Sequence, residues 1–96
     1  MTEQLELLKK YLEQVEFMLD NVIGDCTGFH VPEKDYNRFR YEIKDFFEKY
    51  YAGGSPFVDE FNEIVTERKK HKMIYAKVIL QDMIRELEGG EESARS

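Results

Sequence analysis

Tryptophan is absent from this 96-residue chain, and cysteine occurs once. The single thiol, Cys26, has no partner for an internal disulfide, which excludes a disulfide-stapled scaffold and fits a reducing compartment. No apolar run approaches the roughly eighteen residues that suggest a bilayer-spanning helix, so no membrane association is expected. The opening stretch MTEQLELLKK lacks the basic start and unbroken apolar run of a signal peptide, and a cytoplasmic location is expected. Paired metal-ligand spacings and glycine-rich phosphate loops are missing too, so neither a metal nor another cofactor is expected. Positive charge is in short supply: 14 Lys and Arg face 20 Asp and Glu, giving −6 at neutral pH. That balance argues against general attraction to nucleic acid or to an anionic membrane, where cationic neutralisation dominates binding.

What the chain does have is helical periodicity. Leu5, Leu8, Leu12, Val15, Leu19 and Val22 recur at spacings of three and four, which predicts a helix near residues 3–23 that Gly24 ends. Pro32, Glu33 and Asp35 suit the first turn of a second helix near 33–52. Its buried seam is Tyr36, Phe39, Ile43, Phe46 and Tyr50, broadened by Phe47, and Gly53 and Gly54 stop it. Ser55 is a good N-cap and Pro56 a good first residue for a third helix near 56–65, which buries Phe57, Phe61, Ile64 and Val65. The polar run TERKKHK then predicts a break, although no Gly or Pro enforces one and a continuous rod is the alternative. Met73, Ala76, Leu80, Met83 and Leu87 mark a fourth helix near 72–88, with Gly89 and Gly90 as its stop. The expectation is an all-α antiparallel bundle of four helices in one domain, residues 1–88, without a sheet. Residues 89–96 are expected to form a disordered tail.

The stretch FFEKYYAGGSPFVDEF, residues 46–61, places six aromatic rings in sixteen positions. At about 100° per residue, Phe46, Phe47 and Tyr50 share a face with Phe39 and Ile43, and Phe57 and Phe61 form an opposing stripe. The stretch therefore reads as an antiparallel helix–helix joint whose rings build the core rather than a binding platform.

Candidate chemistry is sparse. Cys26 and His30 share one loop, but a structural zinc site needs four ligands and the second pair is missing. The favoured reading makes Cys26 a small buried residue and His30 a loop residue, so no catalytic residue is assigned. Carboxylates abound without a buried position that would raise the pKa of one. Arg68, Lys69, Lys70 and Lys72 hold four of the fourteen bases, leaving −10 on the rest of the chain. This run could grip a phosphate or an RNA backbone, yet it lacks interleaved aromatics for base stacking. The sharpest signal is apolar residues off the seams. Phe17 lies roughly 170° from the first seam and Tyr41 about 160° from the second, while Ile74 and Val78 lie opposite the fourth. Either the fourth helix is buried on two sides, or these residues meet another chain.

The expected function is a small acidic, non-enzymatic helical protein–protein interaction module, an adaptor, regulator or inhibitor, that binds another protein or itself through Phe17, Tyr41, Ile74 and Val78. The alternatives are nucleotide or RNA binding through residues 68–72, and an acidic competitor of nucleic acid.

Overall fold

The computed structural model describes residues 2–26 and 28–95. Four helices are present: α1 (Thr2–Asp20), α2 (Glu33–Tyr50), α3 (Pro56–Ile64) and α4 (Lys70–Arg95). They form a small all-α bundle, and α1 packs against both α2 and α4 while α3 packs against α4. Side-chain pairs fix the directions. Lys9 meets Glu88 at 2.7 Å and Glu16 meets Lys77 at 3.7 Å, so α1 and α4 run antiparallel. Gln4 donates to the Tyr51 hydroxyl and Gln14 to the Glu42 carboxylate, so α1 and α2 are antiparallel as well.

The core follows the predicted seams with one rotation. On α1 the buried residues are Leu8, Tyr11, Val15 and Met18, with Leu5, Leu12 and Leu19, and Val22 just beyond the helix, at the margin. The buried line thus shares Leu8 and Val15 with the predicted seam and is rotated toward Tyr11 and Met18, because α4 and α2 cover α1 from two sides. On α2, Phe39, Ile43, Phe46 and Phe47 are buried as expected. Phe61 meets Phe47 edge-on at 5.2 Å and Phe39 at 6.1 Å. Tyr11 crosses from α1 to meet Phe46 at 5.4 Å. The rings of residues 46–61 are therefore interior, apart from the half-buried Tyr50, Tyr51 and Phe57. Full burial of one such ring is worth about 1.5–3 kcal/mol, a large share of the stability of a chain this small.

The α2–α3 joint forms as its residues dictate. Tyr51 closes α2 by donating to the Phe47 carbonyl, and Gly54, at φ +94°, turns the chain by donating to the Tyr51 carbonyl. The Ser55 hydroxyl accepts from the Phe57 amide, and Pro56 opens α3. Helices α3 and α4 are separate.

Three expectations need correction. Helix α1 stops at Asp20 rather than near Ile23, because the Asn21 side chain donates to the Phe17 carbonyl and its amide donates to the Met18 carbonyl. The chain then forms a small sheet where none is expected: β1 (Ile23–Asp25) pairs antiparallel with β2 (Gly28–His30). Finally, α4 passes through Gly89 and Gly90 to Arg95. Glycine lowers helix propensity by about 1 kcal/mol relative to alanine but forbids nothing. Ser96, and the side chains from Gly89 onward, lie outside the described residues.

The break before α4 has a physical cause that the sequence hides. The Val31 amide donates to the Arg68 carbonyl at 2.9 Å, the Arg68 guanidinium donates back to the Val31 carbonyl at 3.0 Å, and His30 bridges Lys69. The Arg68 carbonyl is thus spent on the end of β2, and the Lys69 carbonyl, accepting from the Met73 amide, makes the first bond of α4. Val31 is fully buried, so the hairpin is pinned to the core at this point. No described helix is long and apolar enough to cross a membrane.

Candidate interaction surface

The pinning of the hairpin against residues 68–69 builds a surface where apolar and cationic side chains meet. A depression of about 290 Å³ lies between β2 and the start of α4, lined by Gly28, Phe29, Lys69, Lys70, His71 and Ile74. Phe29 is 62% exposed, and the Lys70 ammonium stands over its ring, 5.7 Å from the centroid. Across the ladder Phe29 faces Gly24, and its ring leans over that residue: a Cβ at position 24 would come within 2.9 Å of Phe29 Cε1. The missing side chain therefore makes the ring's position available. Ile74 is exposed beside it, and Val78 is exposed one turn further along the same helix, with Tyr75 exposed between them.

The cations around this depression differ in how they are held. Arg68 is half-buried and committed to the Val31 carbonyl. Lys69 reaches Glu67 only at 3.8 Å, a partly exposed pair of small energetic weight. Lys70 and His71 are exposed, and Lys72, half-buried, lies outside the depression's lining. The first turn of α4 contains no acid, so this positive charge gathers at the positive end of the helix dipole. Local electrostatics disfavour that placement.

The four apolar candidates are all exposed, which rules out an α4 buried on two opposite sides at Ile74 and Val78. They do not form one patch. Phe17, 58% exposed, belongs to a separate groove of about 340 Å³ between α1 and α2, rimmed by Lys10, Glu13, Asp35 and Arg38. Tyr41, 78% exposed, stands on α2 and lines neither cavity. Ile74 alone joins the basic run, so the apolar and the cationic candidates, separate in sequence reasoning, meet there.

Cys26 is exposed, which corrects the expectation of burial. It sits in the hairpin turn, whereas His30 pairs with Ile23 two ladder steps below the Asp25–Gly28 pair. Those steps amount to roughly 7 Å along the strand, so the hairpin holds thiol and imidazole apart. Among the described residues no cluster of three or more His, Cys, Asp or Glu is arranged to hold a metal. No described acidic side chain is buried.

Phe29, Ile23 and Tyr75 are exposed apolar residues that periodicity does not single out. For Phe29 a signal exists in retrospect: Gly24 and Phe29 flank a short polar turn, the spacing at which a ring can cover a glycine across a hairpin. Comparison with protein-family models, with curated proteins and with solved structures finds no match for the chain.

Proposed function

We propose that the chain is a non-enzymatic protein-interaction module that works by presenting apolar side chains on a rigid helical body. The observation that carries this reading is the juxtaposition of exposed Phe29 and Ile74 with Lys69, Lys70 and His71 around one depression. An apolar centre with a charged rim is the anatomy of a protein contact. The core does not need these side chains, since seventeen other hydrophobic residues among those described are buried without them. Phe17 and Tyr41 offer further contacts on α1 and α2.

The test is affinity capture from the native cell together with sedimentation of the purified protein, comparing wild type with Phe17→Asp and Val78→Glu. Both variants are expected to keep the thermal midpoint, because surface changes usually fall within about 0.5 kcal/mol. At least one is expected to lose a partner chain, or a self-association, that wild type retains. A monomeric wild type that retains nothing the variants lose would overturn the reading.

A second reading is favoured by the exposed Phe29 ring beside Lys69 and Lys70. A base stacked on Phe29, with phosphates on Lys69 and Lys70, would make the same depression a single-stranded nucleic-acid or nucleotide site. Steep loss of affinity with salt would mark it.

A further inference from the structure

We infer that the depression between the hairpin and α4 receives a short acidic segment of a partner protein, anchored by one apolar side chain; this rests on reading the chain as a protein-binding module. Two features of the site select that chemistry together. Phe29 and Ile74 offer apolar surface, whereas Lys69, Lys70 and His71 offer donors and positive charge. A purely apolar segment would leave the cations desolvated without partners, and a purely acidic one would leave the ring and Ile74 uncovered. Alternating the two satisfies both.

The rest of the molecule limits how long the ligand is. Outside Arg68, Lys69, Lys70 and Lys72, ten bases stand against all twenty acids. An extended polyanion leaving the depression would run over this acidic body and be repelled, while a short segment meets only the basic spot. The ring itself also favours a peptide over a base. The Lys70 ammonium stands over one face of the ring, so a base stacking on that face would have to displace the lysine. A branched aliphatic side chain needs only the ring edge and Ile74.

Gly24 makes the inference testable without touching any contact residue. Adding a Cβ there collides with the far end of an exposed ring, which can swing aside, so the fold survives while the ring moves.

The experiment titrates labelled ten-residue peptides, glutamates and aspartates around a central leucine, isoleucine, phenylalanine or serine, into the full chain. An oligouridylate of ten nucleotides runs alongside. Expected is binding of the apolar-centred peptides, with the serine peptide at least about tenfold weaker. Lys69→Gln with Lys70→Gln, and separately Gly24→Ala, should each weaken the best peptide by a similar factor while the thermal midpoint holds. Absence of binding by every acidic peptide, or equal binding of the leucine and serine peptides, overturns the inference. If partner capture still depends on Phe17 or Val78 in that case, the interaction-module reading stands and only this site assignment falls. Tighter binding of the oligouridylate, lost in the double lysine variant, would replace the peptide with nucleic acid.

Discussion

Tyr11 shows how single residues in this chain combine packing with a polar constraint. Its ring is buried against Phe39 and Phe46, while its hydroxyl donates a long hydrogen bond, 3.5 Å, to the Glu42 carbonyl. Burial pushes its pKa above the ordinary 10.0, and the negative charges of Glu42 and Asp45 push it further the same way. Burial likewise raises Tyr36, against the opposing pull of Arg40, and Tyr51, against the hydrogen bond from Gln4. A raised folded-state value means that the neutral phenol is the form the fold prefers. The resulting stability is complete below pH 10 and is lost as pH climbs through the raised values. The thermal midpoint should therefore decline above pH 10. Tyr11→Phe should decline less steeply, without becoming flat, because Tyr36 and Tyr51 still titrate. A pH series of melting curves on both proteins checks this, and identical slopes would count against it. Arg68 and Lys70, two residues apart, make a second contrast. Arg68 is fixed to the carbonyl of a fully buried residue, whereas Lys70 is exposed over a ring. Arg68→Gln should cost about 1–2 kcal/mol in urea unfolding, less than a fully buried charged hydrogen bond because the side chain is half-exposed. Lys70→Gln should cost under about 0.5 kcal/mol. Equal effects would mean that the basic run is a uniform solvated loop.

Legibility in the sequence divides by element. The α2–α3 joint is written locally: Tyr51, Gly54, Ser55 and Pro56 each act on neighbours within four residues, so composition and spacing suffice to place it. The seams of α2, α3 and α4 are also legible, since their buried residues repeat with the helix. On α1 the period is right but the face is rotated, because Tyr11 and Met18, rather than more leucines, face the neighbouring helices. The hairpin was not legible. Its strands have three residues each, too few for an alternation to show, and it is held by Val31 and Arg68, thirty-seven positions apart. The same long-range contact ends the polar run before α4, so the break was expected without its cause. The site inherits this division. Ile74, Val78, Lys69 and Lys70 stand out along the chain, but Phe29 becomes part of their surface only once the hairpin folds against residue 69.

At the scale of the whole molecule, the chain is an acidic helical body with a cationic, partly apolar spot at the hairpin end of α4. On the proposed reading the acids disfavour nucleic acid and anionic surfaces in general, and the spot is the place that would attract an acidic partner. The apolar residues there would then convert encounter into affinity, since buried anchors contribute most of the binding energy in protein contacts. The central claim is thus positional: function resides where the hairpin, residues 68–72 and the first turns of α4 meet. The measurement that tests it most directly is amide hydrogen exchange of the full chain, alone and with its captured partner bound. Added protection is expected in the hairpin strands and across residues 69–78, with α3 and the α2–α3 joint unchanged. Protection confined to that joint, or to the Phe17 groove between α1 and α2, would contradict it.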